Sequence, residues 1–165
     1  MGKRFRWAWG AALLAGLAGA AWAAGARLDQ TPVSAAQFAA FLLSQGGKDA
    51  PAGTGGEGPA VSLTWHQARA YCAAQGKRLP SAQEWIGACQ AKEIQHTGWI
   101  WEWTTTDAGP GEHGAEQPFK LLCGPGPECS CTHAYHPDWK NEVKGFRCAR
   151  PDPNVRLLEG GRAAR

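Results

Sequence analysis

The order of elements along the chain predicts an α+β domain, with helices first and a loop-rich antiparallel sheet after them. Two observations predict it: three Ser/Thr-x-x-Gln/Glu capping boxes in the first half, and short aromatic, β-prone pieces between Gly- and Pro-rich stretches in the second. A third observation, six cysteines in a chain of 165 residues, supplies the means to staple the two halves together.

The chain opens with Lys3, Arg4 and Arg6, an apolar run from Trp7 to Ala21, and a small-residue Ala21-Trp22-Ala23 cleavage site. This is the pattern of a secretory signal peptide over 1–23, and the run is too short and too rich in Ala and Gly to span a bilayer. No adjacent pair of arginines stands here, which favours the general secretory route. Contact with the membrane is expected only through this signal, during export. A single domain over 27–150 and a Gly- and Ala-rich flexible tail over 151–165 are expected to follow.

The first helix is predicted from about Ala35 to Ser44. Ser34 and Gln37 form its capping box, and Val33 and Phe38 are placed to pack across the cap as a hydrophobic staple. Phe38, Phe41 and Leu42 share one face, and Gly46-Gly47 stops the helix. The segment from Gly46 to Ala60 is rich in Gly and Pro and is expected to be an exposed loop. Thr64 with Gln67 opens a second helix, about Trp65 to Gln75, with Trp65, Ala68 and Cys72 along one stripe and Gly76 as its left-handed cap. Ser81 with Glu84 opens a third, about Ala82 to Lys92, which sets Trp85 and Cys89 one turn apart.

The pattern then shifts to Gly98-Trp-Ile-Trp-Glu-Trp-Thr-Thr105 and Lys144-Gly-Phe-Arg-Cys148, two expected strands of a small antiparallel sheet. Between them, Thr106 to Asp138 is dense in Gly and Pro and is expected to be mostly irregular, tied down by cysteines.

Composition narrows the functional classes. The formal charge of +3 includes the three basic residues of the signal, so the exported part is near neutral, and no basic stripe with interleaved aromatics occurs. Nucleic-acid binding is therefore not expected. No Gly-x-Ser-x-Gly or His-Glu-x-x-His motif occurs, which sets aside the common hydrolases.

One segment has a density of ligand chemistry: Cys123, Cys129, Cys131, His133 and His136 fall within fourteen residues. Thiolate and imidazole together suit copper or zinc. Cys123, Cys131, His133 and His136 are thus the candidate metal ligands, and Cys123 and Cys131 the candidate catalytic thiols. In an oxidising compartment the competing outcome is a local disulfide between Cys123 and Cys131, with both histidines solvated. His66, His96 and His113 have no spaced companion and carry no assigned role.

Several strings stand in one order: Pro32-Val-Ser-Ala-Ala-Gln-Phe-Ala-Ala-Phe41, Val61-Ser-Leu-Thr-Trp-His-Gln-Ala-Arg-Ala-Tyr-Cys72, Gly76-Lys-Arg-Leu-Pro-Ser-Ala-Gln-Glu-Trp85, Trp101-Glu-Trp103 and Gly145-Phe-Arg-Cys-Ala-Arg150. Together they resemble the formylglycine-generating enzyme family, also called sulfatase-modifying factor domains. The resemblance implies a variant of the C-type lectin-like fold, disulfide-stapled and poor in regular structure. It also implies two bridges, Cys72 with Cys148 and Cys89 with Cys129, with Cys131 close enough to replace Cys129 in the second.

Active members of that family oxidise a sulfatase cysteine to formylglycine with a reactive cysteine pair, copper(I) and dioxygen. With Cys129 anchored in the second bridge, the family's reactive positions fall on Phe119 and Gly124, and neither has a ligating side chain. The resemblance also implies a calcium loop, but the middle of the domain is shortened and Trp99 stands where the family has a ligating Asn. Calcium is therefore doubtful, and Glu102 is read as a buried acceptor for backbone amides.

The chain is thus expected to be a minimal, periplasmic or secreted member that lacks the standard catalytic pair. It would act as a binding or protein-maturation accessory for a protein or peptide partner, with 105–138 as the recognition surface and Trp99, Tyr135 and Trp139 as contacts. The alternative is a divergent copper-dependent oxidase or a metal-handling protein using Cys123, Cys131, His133 and His136.

Overall fold

A computed structural model describes residues 26–46, 56, 58–109 and 117–151. The segments read as a leader over 1–23 and, but for its first residue, as a tail over 151–165 lie outside them, as do most of the loop over 46–60 and His113. The elements run β1 (Ala26–Leu28), α1 (Ala35–Ser44), α2 (Trp65–Ala74), α3 (Ala82–Gln90), β2 (Trp101–Asp107), β3 (Lys120–Cys123), β4 (His133–Tyr135), β5 (Lys144–Gly145) and β6 (Ala149–Pro151).

All three helices start where capping chemistry places them. In each, the N-cap hydroxyl of Ser34, Thr64 or Ser81 accepts from the N3 amide, and the N3 side chain accepts from the N-cap amide. The end of α2 is a Schellman turn: Lys77 N–H donates to Cys72 O at 2.9 Å and Gly76 N–H to Ala73 O at 3.0 Å, with Gly76 at φ +66°. The end of α3 repeats this pattern, Glu93 N–H donating to Ala88 O and Lys92 N–H to Cys89 O, both at 2.9 Å. Here the left-handed residue is Lys92, at φ +58°, where a Cβ is crowded. Lys92→Gly is therefore expected to raise stability by about 0.5–1 kcal/mol, read as a higher urea midpoint at unchanged m-value; a lower midpoint contradicts this account of the cap.

The main sheet has the order β4-β3-β2-β5, antiparallel except for the β2–β5 pair, and β1 with β6 forms a separate two-stranded ribbon that closes the domain ends. The described part of 106–138 is mostly irregular, as expected, with β3 and β4 as short strands inside it. The expected strand over Lys144 to Cys148 is reduced to β5, which pairs with β2 in parallel rather than antiparallel, and β6 begins just beyond it. Pairing accounts for all four pieces. These pieces are two to four residues long, and cross-strand pairing holds them where local propensity is weak.

Side chains alternate across the sheet, so it has two distinct faces. Trp103 and Leu122 look into a core with α1 and α2, where Phe38, Phe41, Tyr71 and Phe146 meet at ring-centroid distances of 5.3 to 6.1 Å. Buried aromatics of this size contribute a large share of the apolar area removed from water. Cys123 looks the other way, into a second cluster with Trp85, Ala88 and Cys89 of α3. Gly145 of β5 makes the first core possible, because a Cβ there would lie 2.8 Å from both Ala60 O and Ile100 Cδ1.

The bridges join Cys72 to Cys148, Cys89 to Cys129 and Cys123 to Cys131. The first ties α2 to the chain entering β6, and the other two anchor the segment after β3 beneath α3. Of the two partners considered for Cys89, the structure uses Cys129.

Candidate recognition site

No free cysteine occurs among the described residues. This decides the fate of the ligand set proposed from sequence. Cys123 and Cys131 are bonded to each other, and a disulfide sulfur is not a thiolate that could bind copper or act as a nucleophile. The two histidines are engaged elsewhere. His133 stacks on Trp101 with ring centroids 3.9 Å apart, while His136 packs against Trp139 at 5.3 Å and Phe119 at 5.6 Å. The four residues therefore do not form a metal centre, and among the described residues no group of three or more His, Cys, Asp or Glu surrounds a common point. The physical reason is that disulfide geometry claims both sulfurs, while ring stacking turns the imidazoles onto the sheet.

Glu102 is buried, but not as an acceptor for backbone amides. Its carboxylate takes Arg147 Nε–H at 2.6 Å, Arg147 Nη2–H at 2.7 Å and Trp85 Nε1–H at 3.0 Å. Arg147 is fully buried and spends its other donors on the carbonyls of Asp29, Gln30 and Gln95. All of the oxygens a calcium ion would want from Glu102 are thus committed to fixed donors. This knot joins α3, β2, the chain after β1 and the chain entering β6.

The positions where the resemblance places the family's reactive cysteines are occupied as expected from sequence, but their surroundings are new. Gly124 follows β3, where a Cβ would lie 2.9 Å from Ile100 O, and the exposed Trp99 ring lies near Gly126. Phe119 precedes β3 and belongs to an aromatic series: it lies 5.9 Å from Trp139, which lies 5.4 Å from Tyr135, which lies 5.9 Å from Trp103. Trp139 is 49% exposed and Trp99 77% exposed, so two large aromatic surfaces face solvent. Tyr135 is half-buried beneath Trp139.

Two lysines complete this face. Lys120 Nζ lies 4.5 Å from the centroid of Trp65 and is paired with Asp107. Lys144 Nζ lies 3.7 Å from the Tyr135 ring and has no carboxylate partner among the described residues. Cation–π attraction partly replaces the water that Lys144 loses, while burial lowers the affinity of its amine for a proton. Register explains the meeting. Lys144 pairs with Trp101 across β5–β2, and Tyr135 with Lys120 across β4–β3, so all four side chains rise from one face. Neither lysine was singled out in the sequence, since the rings they meet lie on other elements, Trp65 on α2 and Tyr135 on β4.

His66 reaches Asp138 at 3.1 Å on the rim of this face, and His96 lies against Trp85 at 5.6 Å. A groove of about 560 Å³ runs along α3 and is lined mainly by small and polar residues. Its Glu84 is held by Arg78 at 2.6 Å. Burial of Glu84 disfavours its charge, but hydrogen bonds from Arg78 and from Ser81 outweigh this and hold the carboxyl below its usual range.

A sulfatase-modifying factor enzyme 1-like domain model matches residues 18–97, which include α1, α2, α3 and both strings from Val61 to Trp85. Over those residues the chain is similar to a sulfatase-modifying factor domain. The match begins inside the segment read as a leader and ends before β2, so the Trp-rich sheet and the second half of the cysteine pattern lie beyond it. The chain is also 51% identical over 41 residues to the inactive C-alpha-formylglycine-generating enzyme 2 of Bos taurus. That similarity covers 21% of this chain and 14% of the bovine protein. The α+β architecture with three disulfides fits the sulfatase-modifying factor domain.

Proposed function

We propose that this sulfatase-modifying factor domain is exported to the periplasm or beyond the cell, lacks the family's reactive thiols, and works as a binding or protein-maturation accessory. The observation that carries the reading is the pairing of all six cysteines into three disulfides, with Phe119 and Gly124 at the positions of the reactive pair. Disulfides of this number are at home in an oxidising compartment, in keeping with the basic and apolar leader. The partial similarity to a relative described as inactive points the same way. What remains for the domain to offer is its surface: the face of Phe119, Tyr135 and Trp139, together with the exposed Trp99, is the recognition surface for a protein or peptide partner.

The test is turnover. Purified exported protein is incubated aerobically with a Cys-x-Pro-x-Arg peptide, with and without copper(I), and aldehyde is trapped with a hydrazide. No aldehyde above the protein-free control is expected, even after copper is added; sustained aldehyde formation sinks the accessory reading.

A further inference from the structure

We infer that the face built from Trp101, His133, Tyr135, Trp139 and Lys144 binds a peptide segment that carries a carboxylate next to an aromatic or large apolar side chain. This deepens the accessory reading and rests on it. Three observations converge on that class of partner.

The first is charge. Lys144 has no carboxylate partner among the described residues, whereas Lys120 is paired with Asp107 and Asp138 lies 3.1 Å from His66. Lys144 is only 8% exposed, and a largely desolvated ammonium held over a ring is a favourable partner for a carboxylate, because a charge-assisted hydrogen bond there meets little competition from water. The second is the wall. Tyr135, Trp139, His136 and Phe119 form a continuous, rigid aromatic surface, with Trp139 open to solvent. Such surfaces bind apolar and aromatic groups at low entropic cost.

The third observation separates a peptide from other anions. Strand β4 ends the sheet order, so its outer edge pairs with no strand among the described residues, and His133 and Ala134 on it are exposed. An extended chain can hydrogen-bond to such an edge while its side chains reach Tyr135 and Lys144. A headgroup or free anion would make no use of that edge.

The experiment measures binding of two fluorescein-labelled peptides, Gly-Glu-Phe-Glu-Phe-Glu-Gly and its counterpart with Gln for each Glu, by anisotropy against the full exported protein. The acidic peptide is expected to bind about tenfold more tightly than the amide peptide, as one charge-assisted contact predicts. Lys144→Gln should erase that difference, and Trp139→Ala, at an exposed position that leaves the core intact, should weaken both peptides. Because the peptide-side change leaves the protein untouched, the comparison survives if Lys144→Gln folds poorly. Equal binding of the two peptides with both weakened by Trp139→Ala overturns the acid preference while the accessory reading stands. Binding of neither peptide, or binding indifferent to Trp139→Ala, removes this face as the recognition surface altogether. Binding of phosphatidylserine vesicles in place of both peptides also overturns the inference.

Discussion

Arg147→Met is expected to destabilise the domain by about 3–5 kcal/mol, which is a large share of the stability of any single domain. The guanidinium is completely buried, and all its described contacts are to fixed groups: the Glu102 carboxylate and the carbonyls of Asp29, Gln30 and Gln95. Removing it leaves a carboxylate in a dry site with only Trp85 Nε1–H as donor, and three carbonyls without their partner. Unpaired buried charge is what makes such a loss severe, since the net gain from an intact buried pair is modest. Glu102→Gln should cost less, because an amide oxygen can still accept from Trp85 and Arg147 while the carbonyls keep their donors. The ordering, with Arg147→Met worse than Glu102→Gln in urea unfolding, checks the assignment; equal and small losses would mean that the knot is not central to stability.

Replacing Cys72 and Cys148 together with Ala is expected to cost roughly 4 kcal/mol. In the chain-entropy model, the loss grows with the logarithm of the loop that the bridge closes. Here the two cysteines are 76 residues apart, and both are fully buried, so the substitution also removes packed sulfur from the core. Cys123 and Cys131 are only 8 residues apart, and replacing that pair should cost about 2–3 kcal/mol by the same relation. Paired unfolding curves test this. A larger loss from the short bridge than from the long one would contradict the picture of Cys72–Cys148 as the tie between the helical half and the end of the chain.

The helices were legible in the sequence because their signals are local. A hydroxyl at the N-cap and an amide or carboxylate three residues on satisfy free backbone amides within one turn, whatever the rest of the chain does. Ser34, Thr64 and Ser81 all serve in this way. Strands β3 and β4 were not legible. Lys120–Cys123 and His133–Tyr135 are too short to show a period, and each owes its conformation to a partner strand ten or more residues away. Glu102 shows the same limit from the side of chemistry: its burial could be read from the Trp-Glu-Trp string, but its partners could not, because Arg147 reaches it from 45 residues on. The cysteine and histidine cluster looked like a ligand set only while the sulfurs were unassigned. Once Cys123 faces Cys131 across a disulfide, the same segment becomes a brace, and the chemistry of the face passes to Lys144, Tyr135 and Trp139.

The state of the six thiols therefore separates a disulfide-braced accessory domain from a thiolate site. Intact mass of the exported protein, measured with and without an alkylating reagent under denaturing, non-reducing conditions, reads it directly. Three disulfides predict no mass increase from alkylation before reduction and six alkyl groups after it. Two alkyl groups before reduction, mapping to Cys123 and Cys131 and blocked by prior addition of copper(I), would contradict the account and restore a thiolate site.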